Sequence, residues 1–257
     1  MPFKTLTVLA AAIAASSAFA QTKLPEPDYT LAFNVGVNTD YRFRGITQTR
    51  FDPSVFGGID FAHKSGFYLG TWASNIQWIK DSGGNNSNAE IDIYGGYKGA
   101  VSGVAYDLGV LGYLYPSHRG YSPNPETTEL YGALTYGPVT AKYSQALSNA
   151  FGFADSHNSA YLDVSATFDL GRGWSVVPHV GHQRIAGSPG GVSNSQFSYT
   201  DYALTLNYDF ANGLVASVAG IGTNARKAAY AVGPFASSSV GRYTGSDTLV
   251  LGLKYNF

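Results

Sequence analysis

Three charged residues at alternate positions, Asp40, Arg42 and Arg44, with Gln48 just beyond them, form the most suggestive constellation in the chain. Residues two apart on a strand share a face, so this spacing sets opposed charges side by side. In a channel such a set imposes a transverse field at a constriction and sorts solutes by charge. As a structural device the same residues pair with one another or brace the following loop. Both readings stand on the sequence alone. The other carboxylates come one or two per segment, which fits a hydrated wall better than a calcium loop or an acid and base pair. His179 and His182 are the strand-interior histidines, and only Ser175 lies near them. A lipid-facing Ser–His couple oriented by a third polar group is therefore not expected. The glycine-rich run 187–191 sits in a loop and not between a strand and a helix, so it is no phosphate cradle. Zero cysteines remove disulfides, thiolate metal sites and a lipidated N-terminal cysteine together. No catalytic residue, metal site or cofactor is expected.

The elements that position these residues follow from composition and periodicity. The chain has 257 residues, 31 glycines, 19 tyrosines and only 13% charged residues, a composition suited to strands and tight turns. A net charge of −1 offers no basic excess for a phosphate backbone, so nucleic acid is excluded as a partner class. Lys4, the apolar run Leu6 to Ala15 and Ala18-Phe19-Ala20 read as a cleaved secretory signal over residues 1–20. Segment 21–28 is expected to be a short periplasmic lead into a barrel of residues 29–257. The apolar run is too short to span a bilayer as a helix, which takes about twenty residues. Strands must carry any membrane crossing.

From Tyr29 to Arg44 the chain alternates with a period of two: Tyr29, Leu31, Phe33, Val35, Val37, Tyr41 and Phe43 lie on one face, and Ala32, Asn34, Asp40, Arg42 and Arg44 on the other. Ten further segments alternate likewise: 53–63, 66–78, 89–98, 104–115, 127–136, 139–148, 159–170, 174–183, 198–210 and 214–223. Residues 248–257 close the series. The expected fold is thus all-β, a transmembrane antiparallel β-barrel of about twelve strands with short periplasmic turns and longer extracellular loops. Charges test the phase independently, because each phase was chosen by apolar residues. Asp60, Glu90, Asp92, Lys98, Asp107, Glu129, Lys142, Asp163, Asp169, Asp201, Asp209 and Lys254 all fall on the polar face. Pro178, which lacks an N–H, is expected to mark a bulge in its strand.

Three features turn the apolar face outward. Twelve strands enclose a bore too wide for one layer of side chains to fill with a dry core. Aromatics of the apolar face gather next to the short turns, as at an interfacial girdle. The chain ends in the alternating Tyr255 and Phe257, a terminal pattern of the kind read by the barrel-assembly machinery. The pore-lining set is then Asp40, Arg42, Arg44, Asp60, Glu90, Asp92, Asp107, Glu129, Lys142, Asp163, Asp201 and Lys254.

The stretch Thr39 to Thr49, continued by Pro53, Gly57 to Asp60 and Gly66 to Asn75, resembles the TorF-type porins of proteobacteria, a family also described as conserved proteins of unknown function. The resemblance extends to Val177–Gln183 and Gly252–Phe257 and so covers most of the chain. It implies an outer-membrane barrel and a channel, with no substrate and no catalytic residues to carry over. The function expected is passive diffusion of small hydrophilic solutes with weak cation preference. Its partners are outer-membrane lipid, the assembly machinery and those solutes. The rivals are a structural or adhesive barrel closed by its own side chains or loops, with inward Tyr68, Trp72, Trp78, Tyr94, Tyr113, Tyr115, Tyr131 and Tyr161 as filling, and a lipid-modifying enzyme.

Overall fold

A computed structural model describes residues 27–82, 87–231 and 243–257. The expected signal segment, residues 21–26 and Arg242 lie outside the described residues. Twelve strands form one closed antiparallel sheet. They are β1 (Tyr29–Asn38), β2 (Ser54–His63), β3 (Phe67–Asn75), β4 (Ala89–Val101), β5 (Val104–Leu114) and β6 (Thr127–Tyr136). The second half has β7 (Val139–Ala146), β8 (Ala160–Ala166, resuming at Phe168–Gly171), β9 (Trp174–Arg184), β10 (Tyr199–Asp209), β11 (Leu214–Thr223) and β12 (Thr248–Asn256). Each strand pairs with its sequence neighbours, and β1 closes the ring by pairing with both β2 and β12, as at Val35 with Gly57 and Tyr255. Among the described residues no edge of this sheet is left open. Lipid offers no partner for a free N–H or C=O, so closure is a condition of crossing it.

The apolar face points out. Leu108 is 59% exposed, Leu134 60% and Leu249 64%, while Ser144, Glu129 and Asp201 on the opposite face are buried. A continuous apolar belt on this scale has no place in water, and among the described residues no helix is long and apolar enough to cross a membrane. At the short-turn end the outward aromatics meet stacked, edge to face or tilted, with ring centroids 5.6 Å apart for Tyr29 and Phe61, 5.0 Å for Phe67 and Tyr97, and 4.7 Å for Trp174 and Tyr208. This is the expected girdle.

Three expectations fail. The first strand does not run to Arg44: it leaves the wall after Asn38, and Arg42–Phe43 pairs with Ile46–Thr47 in a separate small hairpin. Tyr41 and Phe43, expected toward lipid, are consequently inside the barrel. Segment 66–78 stops at Asn75, so Trp78 is not a wall residue but opens a single helical turn, Trp78–Asp81, in the loop. Pro178 makes no bulge. It stays in register opposite Leu204, and on its other side Ser165–His179 and Phe168–Val176 belong to one register, so the ladder lapses where the N–H is missing and resumes unshifted. The shift lies instead between Asp169 and Gly171. With register kept, His179 faces the lumen and the exposed His182 faces outward, its Nδ1 3.0 Å from Thr200 Oγ1.

Orientation of the two faces gives a direct test on β11 and β12. Leu251→Arg should strongly lower the yield of folded, heat-modifiable barrel, because an arginine facing mid-bilayer costs about 2 to 4 kcal/mol. Ser217→Arg, on the inward face of the neighbouring strand, should fold close to normally. Gly252 would be a poor control, since a Cβ there meets Asn38 Oδ1 and Ser217 Oγ at 2.6 Å. Equal loss from both variants would contradict the assigned faces.

Candidate functional site

The chain that leaves β1 turns inward and crosses the bore. Its tip is a two-residue turn in which Arg44 and Gly45 both take positive φ, 47° and 79°, the pattern of a primed hairpin turn. Gly45 is required there twice over. Its backbone is left-handed, and a Cβ would lie 2.4 Å from Thr223 Cγ2 and 2.7 Å from Asp201 Cβ, on β11 and β10, two and three strands round from β1. The tip is thereby seated against β10 and β11, and the reach across the bore comes from Arg44, whose partner Glu129 stands on β6.

Charge and hydrogen bonding hold it there. Arg44 Nη2 donates to both carboxylate oxygens of Glu129 at 2.8 and 2.7 Å, and Nη1 donates to Gln183 Oε1 at 2.6 Å. The guanidinium also lies 4.3 Å from the Tyr161 ring centroid and 4.7 Å from that of Phe43. Near the base, Asp40 organises the opposite end. It accepts from Arg42 Nε at 2.5 Å, from Thr47 Oγ1 at 2.5 Å and from Thr49 Oγ1 at 3.1 Å. Arg42 Nη1 reaches on to the carbonyls of Thr244 and Ser246, both at 3.1 Å, in the chain before β12. Tyr41 donates its hydroxyl to Glu90 Oε1 at 2.5 Å. Burial pushes the Tyr41 phenol up, and the neighbouring Glu90 charge pushes the same way, so the hydroxyl stays a donor. On the return, the Gln48 carbonyl accepts from the amides of Gln77 and Trp78 at 2.7 and 3.1 Å, and Arg50 Nε donates to Asp81 Oδ2 at 2.8 Å.

Asp40, Arg42 and Arg44 thus sit inside the barrel, but on the hairpin and not on the wall, and the 45–52 segment is no outer loop. The structure brings them together with Glu90, Glu129 and Asp201 of the wall. The rest of the expected set lies apart from the hairpin contacts. Tyr94 donates to Asp60 at 2.6 Å, and Tyr68 donates to Asp107 at 2.5 Å while touching the Tyr131 hydroxyl. Lys142 Nζ stands 4.1 Å from the Tyr131 ring centroid, His179 Nε2 lies 2.6 Å from Asp163, and Tyr161 donates to Asp201 at 3.0 Å. Asp92 is inward with one buried oxygen that no group among the described residues satisfies. Lys254 is exposed near the short-turn end. Sequence reading missed Gln183, Thr47, Thr49 and the hydroxyl of Tyr41. Only the Arg44-Gly45 pair between short alternating runs could have signalled the turn.

The hairpin divides the space within the barrel. On its outer side lies a cavity of about 340 Å³ bordered by Phe43, Trp78, Phe151 and Tyr230. Against its other face lie one of about 340 Å³ beside Lys142, Asp163 and His179, and one of about 260 Å³ beside Tyr41, Trp72 and Ser217. The arrangement can admit small polar molecules to charged pockets and can restrict their passage at the hairpin.

Breaking the tip contact should detach the hairpin. Removing one partner of a buried ion pair typically costs about 3 to 5 kcal/mol because the other charge is left unmatched. Arg44→Ala should therefore speed hydrogen exchange at the Phe43 and Ile46 amides on the order of a hundredfold relative to the strand amides, whereas Arg44→Met combined with Glu129→Met should change it much less. Unaltered exchange in Arg44→Ala would show that the ion pair does not hold the hairpin.

The fold has solved counterparts. A KdgM porin superposes with a TM-score of 0.55 over 88% of this chain and 99% of its own, at 8% identity. A NanC porin gives 0.52 over 89% and 99%, also at 8% identity, and a KdgM porin crystallised in complex with disordered oligogalacturonate gives 0.53. At such identities the likeness concerns the fold, which is that of outer-membrane porins. No curated protein matches the sequence. A family profile described as a bacterial protein of unknown function (Gcw_chp) matches residues 22–257 and carries no TorF label, so the unknown-function half of the expected resemblance holds and the chain belongs to the Gcw_chp family.

Proposed function

We propose that the barrel is an outer-membrane channel for passive diffusion of small hydrophilic solutes, with a weak preference for cations and with the inner hairpin as its constriction. The observation that carries this reading is the charged lumen: cavities bordered by Lys142, Asp163, Asp201 and Asp40 lie against a hairpin held by side-chain contacts. A structural plug alone has no need of charged pockets at its flank. Inward-facing carboxylates (Asp40, Asp60, Glu90, Asp92, Asp107, Glu129, Asp163, Asp169, Asp201 and Asp209) outnumber the fixed cations Arg42, Arg44, Lys98, Lys142 and Lys254 by two to one. Such a wall raises the local concentration of cations within about 10 Å at 0.1 M salt. It suits an anionic chain such as the oligogalacturonate of the KdgM complex poorly. The same reading takes residues 1–20 as a signal removed on export, and Tyr255 with Phe257 as the assembly signal.

One observation favours a closed structural barrel instead: the hairpin reaches from wall to wall and is anchored at both ends. Single-channel recording in planar bilayers separates the two. The native barrel should conduct, with reversal potentials showing a cation preference that fades as salt rises. Replacing Arg42–Thr47 by a short Gly-Ser link should raise conductance several-fold, and Arg42→Ala with Arg44→Ala should strengthen the cation preference. A silent native barrel that conducts only after hairpin replacement would establish the plugged reading, and anion preference in the native protein would refute the wall argument.

A further inference from the structure

The two sides of the hairpin differ in chemistry. Below it the pockets are charged. Above it, Phe43 of the hairpin joins Trp78, Tyr121, Phe151, Tyr199 and Tyr230 from five further segments around one chamber. Rings meet rings across it: Trp78 and Tyr121 at 5.7 Å, Phe43 and Phe151 at 5.3 Å, and Tyr199 and Tyr230 at 5.2 Å, all edge to face.

Most polar groups at its border are already engaged with protein; the buried indole Nε1 of Trp78 is the exception, with no hydrogen-bond partner among the described residues. Gln48 Nε2 donates to the Ile46 carbonyl at 3.0 Å, and Gln183 accepts from Arg44 and donates to the Ala160 carbonyl at 3.1 Å. Arg50 is paired with Asp81, Thr47 with Asp40, and Tyr230 donates to the Phe197 carbonyl at 2.6 Å. No fixed charge of the described border is left to meet an ionised ligand, and few hydrogen-bonding groups remain for a polyhydroxylated one. Ring faces and edges are what the chamber presents. Its volume of about 340 Å³ falls in the range of small-molecule sites, roughly 300 to 1,000 Å³.

We propose that this outer chamber binds an uncharged aromatic solute, which stacks among these rings before it reaches the constriction. The proposal takes its outer-mouth position from the channel reading, but binding and conduction are separately measurable.

Trp78 supplies the readout, since the other two tryptophans lie elsewhere, Trp72 on the inward face beneath the hairpin and Trp174 in the outward girdle. The full barrel in lipid nanodiscs is titrated with 4-nitrobenzyl alcohol, an uncharged aromatic quencher, and in parallel with 4-nitrobenzoate and glucose. Saturable quenching by the alcohol, at least tenfold weaker binding of the benzoate and no effect of glucose are expected. Trp78→Phe should abolish the saturable component. Tyr121→Ser and Tyr230→Ser, both in loops outside the wall, should weaken binding roughly tenfold for lost ring contacts while leaving heat-modifiable folding intact. Non-saturable quenching, equal binding of alcohol and benzoate, or saturable quenching that survives Trp78→Phe would each overturn the site. A barrel that binds without conducting would sink the channel reading alone, and one that conducts without saturable quenching would sink the chamber alone.

Discussion

A backbone N–H or C=O without a partner in hydrocarbon costs several kcal/mol, and that constraint shapes everything else in this molecule. It demands a sheet without edges, hence the pairing of Val35 with both Gly57 and Tyr255 where the first and last strands meet. Closure of twelve strands then creates a bore that one layer of side chains cannot fill. Tyrosines make up part of the deficit. Tyr68, Tyr94, Tyr131 and Tyr161 reach inward from the wall and end in hydrogen bonds or contacts with polar neighbours, so bulk is added without an unsatisfied hydroxyl. The remaining space is what the hairpin crosses, and its charges are the consequence of lying among wall carboxylates.

The hairpin's hold is specific more than strong. Burying Arg44 and Glu129 removes two charges from water, and their attraction offsets that loss only because the remaining valences are used. They are: Gln183 takes a second guanidinium nitrogen, and aromatic rings of Phe43 and Tyr161 lie against the cation. A hydrophobic tip would bind the wall with less demand on geometry, but it would not select Glu129 over neighbouring positions. At the base, three donors converge on the one carboxylate of Asp40, which fixes the crossing angle of the two hairpin arms. Both ends are therefore set by directional contacts, and the middle contributes few.

Alternation made the wall legible because lipid on one side and polar groups on the other impose a strict period of two. Segments 127–136 and 214–223 coincide with β6 and β11, and unselected charges such as Glu129 and Asp163 lie on the lumen face. The same signal misled at the most interesting place. A hairpin arm inside a barrel also alternates, with Asp40 and Arg42 on one side and Tyr41 and Phe43 on the other, so periodicity cannot distinguish an arm from a wall strand. What separates them is the company each face keeps, and that company lies far off in sequence: Glu129 is 85 residues from Arg44 and Gln183 is 139. Pro178 misled in the opposite direction. A missing donor was read as an insertion, whereas the ladder tolerates one lapsed bond while its other face stays paired with β10.

The division of the lumen at Phe43 also bears on how charge acts within it. Arg42 and Arg44 are each matched to a carboxylate, so at the hairpin itself positive and negative groups alternate over a few ångströms and their fields largely cancel at longer range. The unbalanced charge belongs to the wall below and around it, where Asp60 and Asp107 have no cation among the described residues as close as Arg44 is to Glu129. In the proposed channel, size and shape would be decided at the hairpin and net charge along the wall. A solute taking the proposed path from the outer rim would first meet rings with no free charge and afterwards a surface rich in carboxylates, so the two regions would discriminate on different properties, apolar surface first and ionic character second. Because Phe43 borders both the ring chamber and the charged pocket beneath it, the hairpin would be the point in the proposed channel at which one criterion hands over to the other.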